Sequence, residues 1–118
     1  MILLRKLTYN CGIELLSNMI TGKWKMLIMY YLIYEKKRFG ELKGLLPGIT
    51  SSMLTKQLRE LEKDGLIDRK IYQEIPLKVE YSLTPKGYEL KDILFQMCEL
   101  GTRYLENDNH YRNVPQLV

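Results

Sequence analysis

Five polar side chains between residues 48 and 65 recur at a spacing that places them on one side of an α-helix. They are Ser52, Thr55, Lys56, Arg59 and Lys63. At about 100° per residue they fall almost opposite Leu54, Leu58 and Leu61. Hydroxyl, ammonium and guanidinium groups donate hydrogen bonds, and the last two are positively charged. This polar stripe predicts a helix that packs through its leucines and offers donors and positive charge to a partner.

The same segment carries signals for where this helix begins and ends. Thr50 or Ser51 is a candidate N-cap, because its hydroxyl oxygen can accept a hydrogen bond from a backbone N–H of the first turn. Asp64-Gly65 marks the end, since glycine adopts the left-handed conformation that often follows a helix. Upstream, Phe39–Leu46 has a helical apolar pattern, and Pro47-Gly48 predicts a tight turn. Two short helices joined in this way predict a helix-turn-helix.

A second kind of chemistry resides in the thiols. Cys11 opens a helical pattern, where unpaired backbone N–H groups and the positive end of the helix dipole stabilise a negatively charged sulfur. Cys11 is therefore a candidate redox sensor, although most unpaired cysteines act as small hydrophobic residues. Cys98 is far away in sequence and the single histidine, His110, lies in a polar tail. This spacing matches no metal site, so we expect neither a metal nor a cofactor.

Composition limits the class of protein. The chain has 118 residues, 46% of them hydrophobic, and a formal net charge of +4. Residues 1–60 carry ten Lys/Arg against four Asp/Glu, whereas residues 61–118 carry eight against ten. The basic half contains the polar stripe, which favours a polyanionic partner. No apolar run approaches the roughly 20 residues that span a bilayer, and the start does not resemble a signal peptide, so we expect a cytoplasmic protein without a membrane partner.

The remaining elements have patterns of their own. A first helix is predicted over residues 11–20, and a second over Lys23–Tyr34, which is apolar on nearly every side and therefore buried. Residues 66–72 and 78–83 alternate with the period of strands, with a hairpin tip between them. Thr84-Pro85 then opens a long helix to about Leu105. We expect a single domain over residues 1–105 and a polar tail over 106–118.

The long C-terminal helix has more apolar surface than one small domain can bury. Its C-terminal apolar stripe comprises Leu90, Leu94, Met97, Gly101 and Tyr104. Such a surplus predicts a homodimer, held together by this helix and the first one.

The fold class that follows is mainly α-helical with a small β-wing: a winged helix-turn-helix with N- and C-terminal dimerisation helices. The major groove of B-form DNA accepts an α-helix, and its bases and phosphates are contacted by such donors. We therefore predict contacts to double-stranded DNA at a pseudo-palindromic operator. The predicted DNA-binding residues are Lys23, Arg38, Ser51, Ser52, Thr55, Lys56, Arg59 and, at the wing, Lys78.

Several segments also carry a family resemblance, over about residues 11–101. They include Cys11, Gly22-Lys23-Trp24, Leu46-Pro47-Gly48-Ile49, Leu58-Arg59-Glu60-Leu61-Glu62, Asp64-Gly65-Leu66 and Val79-Glu80-Tyr81. In these the chain resembles the HxlR-type, MarR-like winged helix-turn-helix regulators. The resemblance implies a dimeric bacterial transcription regulator and, in some members, a response to oxidants or electrophiles through the N-terminal cysteine. We expect this regulator to be a repressor. A small ligand is the other signal that we consider.

Two other classes of protein serve as alternatives. An enzyme would need a catalytic constellation, and neither a Ser/His/Asp set nor a phosphate-binding glycine loop can be assembled from these residues. A winged helix that contacts only proteins is the second alternative. Domains of that kind generally lack the polar stripe and the basic turn Glu35–Arg38, and this chain has both.

Overall fold

The computed structural model describes residues 2–4 and 7–107. Within these ranges the chain forms four short strands and six helices in mixed order. They are β1 (Ile2–Leu4), β2 (Leu7–Tyr9), α1 (Gly12–Ile20), α2 (Trp24–Tyr34), α3 (Phe39–Leu45), α4 (Ser51–Lys63), β3 (Ile67–Tyr72), β4 (Lys78–Leu83), α5 (Pro85–Tyr88) and α6 (Lys91–Asn107).

Helix α2 is the centre of the domain. It packs against α4, α6 and β4, and Ile28, Met29, Leu32 and Ile33 are buried along it. The prediction that this helix belongs to the core is confirmed. An all-round apolar helix must be enclosed by other elements, and here three of them supply the enclosure.

The wing forms where the alternating pattern predicted it. Strands β3 and β4 pair antiparallel, with Ile67 opposite Leu83 at the base and Tyr72 opposite Lys78 near the tip. The base reaches the core, since Ile67 and Leu83 are buried. Lys37 extends the ribbon by exchanging backbone hydrogen bonds with Tyr81, with N···O distances of 3.0 and 2.8 Å. The turn that precedes α3 is thereby joined to the wing.

An N-terminal hairpin was not anticipated. Strands β1 and β2 pair antiparallel, with Leu4 opposite Leu7. The segment is short and has neither a clear alternation nor an Asn-Gly or Asp-Gly turn signal, so its pattern does not announce a hairpin.

The prediction of one continuous helix from Pro85 to Leu105 is wrong. Thr84 caps α5 as expected, because its Oγ1 accepts a hydrogen bond from Gly87 N at 3.0 Å. Residues 89 and 90 then bond three residues back, from Glu89 N to Lys86 O and from Leu90 N to Gly87 O. These tighter turns separate α5 from α6. Helix α6 continues to Asn107, two residues past the predicted end of the helix at Leu105, and His110 lies outside the described residues.

Only part of the C-terminal apolar stripe is available to a partner. Leu90 and Leu94 are buried in the chain's own core, so the expectation that they line a dimer interface does not fit this fold. Met97 and Tyr104 remain 49% and 56% exposed, and Gly101 is partly exposed between them. The exposed apolar side chains on this helix are Ile93, Met97, Leu100, Tyr104 and Leu105, and those on α1 are Ile13 and Leu16.

The contact between α5 and the base of the wing leads to a stability prediction. A Cβ atom at residue 87 would collide with the carbonyl oxygen of Leu66 and lie 3.3 Å from Leu83 Cδ2. We expect Gly87→Ala to lower the free energy of unfolding by about 1–3 kcal/mol, the usual cost of overpacking. Urea unfolding followed by circular dichroism measures this change.

Gly44→Ala is the matched control. Gly44 is also helical, but nothing lies within 4 Å of a Cβ built there. This substitution should raise the free energy of unfolding by roughly 0.5–1 kcal/mol, because alanine loses less backbone entropy on folding. Equal stability of Gly87→Ala and the wild type would show that the α5 junction can yield.

Candidate nucleic-acid interface

Helix α4 begins and ends at the predicted residues. Thr50 is the N-cap, and its Oγ1 accepts a hydrogen bond from Met53 N at 3.1 Å. At the other end Asp64 is the C-cap and Gly65 has a φ of 76°. Thr84 Oγ1 donates to Gly65 O at 2.6 Å and Lys86 Nζ donates to Asp64 O at 2.8 Å. Both ends of the helix are therefore fixed by hydrogen bonds.

The turn before α4 holds the two helices of the motif together. Ile49 N donates to Leu46 O at 3.1 Å, and Gly48 has a φ of 89°, which glycine adopts without strain. Leu42 and Leu46 are buried, which anchors α3 to the core. The predicted helix-turn-helix is confirmed in this geometry.

The faces of α4 are divided as the periodicity predicted. Leu54, Leu58 and Leu61 are buried. Ser52, Lys56, Arg59 and Lys63 are exposed and Thr55 is partly exposed. An open groove runs along this side of the helix and is lined by Ser51, Ser52, Thr55, Lys56, Arg59 and Glu60. The structure thus brings most of the predicted contact residues together in one groove.

The residues that line the groove differ in whether they already form hydrogen bonds or ion pairs within the chain. Thr55 Oγ1 donates to Ser51 O at 2.9 Å, and Ser52 Oγ lies 3.3 Å from Thr50 Oγ1. Among the described residues, no carboxylate lies within 4 Å of the charged nitrogens of Lys56 or Arg59. The two cationic side chains are therefore available to an anionic partner.

Arg38 lies at the start of α3, outside this groove. Its backbone N donates to Glu41 Oε1 at 2.9 Å, which fixes the first turn of the helix, and its side chain is exposed. Lys23 caps α2 and is exposed, with Nζ 4.6 Å from the centre of the Trp24 ring. Both cations are therefore at the surface, but neither is among the groove residues.

Lys78 at the wing is more constrained than the sequence suggested. Its Nζ lies 3.8 Å from Glu80 Oε2 and 4.7 Å from the centre of the Tyr72 ring. A hydrogen bond from Tyr72, together with the nearby positive charges of Lys36 and Lys78, lowers the pKa of Glu80. This carboxylate stays ionised and holds Lys78 on the ribbon. The outer end of the hairpin is instead apolar, with Ile75 and Leu77 exposed.

One ion pair at the groove was not predicted from the sequence. Lys25 Nζ lies 2.7 Å from Glu60 Oε1, and Lys25 is only 3% exposed. A signal for it existed, because Lys25 is the one charged residue of the otherwise apolar helix α2. A lone charge in a core helix requires a partner of opposite charge.

Comparison with known proteins assigns this architecture to a family. Residues 19–109 match the family described as HxlR-like helix-turn-helix. The chain belongs to this family. The match covers α2, the helix-turn-helix, the wing and α6, and it therefore includes the groove.

Similar proteins include named regulators. An uncharacterised HTH-type transcriptional regulator of Bacillus subtilis, YkvN, is 47% identical over 100 residues, which is 85% of each chain. The reduced form of the redox regulator HypR superposes with a TM-score of 0.77 at 47% identity, covering 80% of this chain and 93% of HypR. A MarR-family regulator of Enterococcus faecalis superposes with a TM-score of 0.73 at 41% identity, covering 91% and 97%.

Membership of the HxlR-like family confirms the winged helix-turn-helix fold. It also confirms that the chain is not an enzyme, because the family and its relatives are transcriptional regulators. Within residues 2–4 and 7–107, no helix is both long and apolar enough to cross a membrane.

The two thiols occupy different surroundings in this HxlR-like domain. Cys11 is the exposed N-cap residue of α1, and its carbonyl oxygen accepts from Leu15 N at 3.3 Å. Cys98 is exposed on α6, with Sγ 3.5 Å from the hydroxyl oxygen of Tyr30. Tyr34 hydrogen-bonds the same Tyr30 hydroxyl, and both contacts raise the pKa of Tyr30. Arg5 and Lys6, which precede Cys11 in the sequence, lie outside the described residues.

Proposed function

We propose that this HxlR-like protein is a cytoplasmic, homodimeric repressor that binds double-stranded DNA sequence-specifically. The observation that supports this most is the groove along α4, where hydroxyl donors lie beside Lys56 and Arg59 and none of these side chains is buried in the core. Exposed cations and hydroxyls on a capped helix are suited to the phosphates and base edges of a major groove.

The contact residues have separate roles in this proposal. Ser52, Thr55 and Lys56 lie towards the N-terminal part of α4, the part of a recognition helix that approaches base edges. Arg59 and Arg38 contact phosphates, and Ser51 contributes through the backbone N–H groups of the first turn. Lys23 contacts the DNA backbone beside the groove. Lys78 contacts DNA only if it leaves Glu80.

The homodimer follows from the exposed apolar surfaces. Ile13 and Met97 are 75% and 49% exposed, on α1 and α6, and neither helix is covered on this side among the described residues. Exposed apolar side chains on helix faces that nothing covers are typical of an interface. Two-fold symmetry would then place two α4 helices about 34 Å apart, so that the operator is pseudo-palindromic.

The signal that we propose is an oxidant or electrophile acting on Cys11. The thiol is exposed at a helix N-terminus, and the similar HypR is named a redox regulator. Oxidation that joins Cys11 to a second thiol would change the packing of α1 and hence the dimer. A small ligand remains the alternative signal.

Loss of either groove cation should weaken DNA binding without unfolding the domain. We expect Lys56→Ala and Arg59→Ala each to lower operator affinity by about tenfold, or about 1.4 kcal/mol. For Arg59 the slope of log affinity against log salt concentration should fall by about one, and sequence discrimination should be retained. Fluorescence anisotropy at several salt concentrations measures both, on a duplex that the wild type selects from a random-sequence library.

Lys91→Ala is the control for this experiment. Lys91 is an exposed lysine at the start of α6, outside α3, α4 and the wing. Its substitution by alanine therefore removes one positive charge outside the groove. Affinity that is unchanged in both groove variants would place the DNA-binding face elsewhere. Wild-type affinity that does not depend on salt would favour a winged helix that contacts only proteins.

Met97→Glu should convert the dimer to a monomer. A carboxylate at the centre of the exposed stripe cannot be buried without a partner, whereas the fold tolerates it because Met97 faces outward. Sedimentation at micromolar concentration should show a dimer for the wild type and for the exposed control Gln96→Glu. A monomeric wild type would refute the proposed assembly.

Oxidation should abolish operator binding only when Cys11 is present. We expect diamide to remove operator binding of the wild type by driving a disulfide, and Cys11→Ser to retain it. Cys98→Ser, which removes the other thiol, shows by comparison whether Cys98 is the partner in that disulfide. Operator binding that survives diamide in the wild type would assign Cys11 a structural role.

A further inference from the structure

One ion pair links the core of the domain to the groove along α4. Lys25 is buried in α2, and its Nζ lies 2.7 Å from Oε1 of Glu60. The Glu60 side chain keeps 36% of its surface exposed. Lys25 therefore lies in the core of the domain, whereas Glu60 lies at the surface where DNA is proposed to bind.

Glu60 is an unexpected residue at this surface. It lies one turn after Lys56 and beside Arg59, and it is the one acidic residue lining the groove in the described part of the chain. A carboxylate that faces phosphates repels them, and the repulsion strengthens near a low-dielectric protein body. An uncompensated Glu60 would thus oppose the two neighbouring cations.

We propose that Lys25 is a positioning residue for DNA binding, although it is buried and cannot itself reach the DNA. Its ammonium group holds the Glu60 carboxylate against the body of the domain and cancels its charge. The groove then presents the positive charges of Lys56 and Arg59 to phosphates. This inference rests on the proposed function and assigns the electrostatics of the DNA-binding face to a residue of α2.

A purely structural role for the pair makes a different prediction. If Lys25 only fastened α2 to α4, its loss would lower stability, and removing the Glu60 charge would not restore DNA affinity. If it also screens Glu60, the loss of affinity depends on the Glu60 charge. The DNA affinity of Lys25 and Glu60 variants, alone and combined, separates the two roles.

The test uses Lys25→Met, Glu60→Gln and the double variant in the full chain. Methionine has a similar length and suits the apolar surroundings of Lys25. At about 0.15 M salt, where long-range effects are screened, Lys25→Met should bind a short DNA duplex about tenfold more weakly than the wild type. Glu60→Gln should bind at least as tightly as the wild type, and the double variant should return to within about twofold of it.

Lys25→Met/Glu62→Gln is the matched control. Glu62 is an exposed carboxylate of α4 outside the groove, 3.8 Å from Arg69 Nε. Its neutralisation should not restore the affinity that Lys25→Met loses. Thermal unfolding of each variant shows that the affinities refer to folded protein. If Lys25→Met does not fold, Lys25→Gln removes the same charge but keeps an N–H donor for Glu60, and the same comparisons apply.

Unchanged affinity of Lys25→Met, or equal restoration by Glu60→Gln and Glu62→Gln, would overturn the inference. If the double variant does not recover the DNA affinity of the wild type, the inference is also overturned, and the ion pair serves only to hold α2 and α4 together. Absence of salt-dependent DNA binding in the wild type would instead refute the proposed function, and the inference with it.

Discussion

Helix α2 must be enclosed, and the rest of the domain is arranged to enclose it. Its apolar side chains face in nearly every direction, so no single partner could remove them from water. Helix α4, helix α6 and strand β4 all pack against it. The inner sides of α4 and β4 pack against α2 in this way. The outer side of α4 is therefore the candidate DNA-binding face, and β4 forms part of the wing.

Features that depend on local pattern could be predicted from the sequence. The leucines of α4 recur with the helical period, Thr50 and Gly65 carry their capping chemistry within a few residues, and β3 and β4 alternate as strands do. The packing of α5 on the base of the wing, where Gly87 approaches the carbonyl of Leu66, could not be predicted, because Leu66 is distant in sequence. The burial of Leu90 and Leu94 could not be predicted either, because a helical repeat alone does not say whether an apolar residue packs in the chain's own core or against a partner chain.

The candidate site divides along the same line. The polar stripe follows from spacing alone, and so does its separation from the leucines. The pairing of Lys25 with Glu60, and of Lys78 with Glu80 and Tyr72, requires knowing which elements meet. A charge has strong effects over several ångströms, so such pairings alter which cations a partner encounters. Lysines chosen from the sequence alone would therefore include Lys78 as a free cation of the wing and would omit the buried Lys25.

The division of α4 into a buried and an exposed side also bears on how such a protein can change over generations. Substitutions at exposed helix positions usually alter the free energy of unfolding by less than about 0.5 kcal/mol. Ser52, Lys56 and Arg59 are exposed, so a lineage can try new residues there while the leucines preserve the fold. Duplicated copies could thereby acquire different DNA sequence preferences with little loss of stability. Glu60 is the exception on this side of the helix, because its replacement removes the carboxylate that pairs with the buried Lys25.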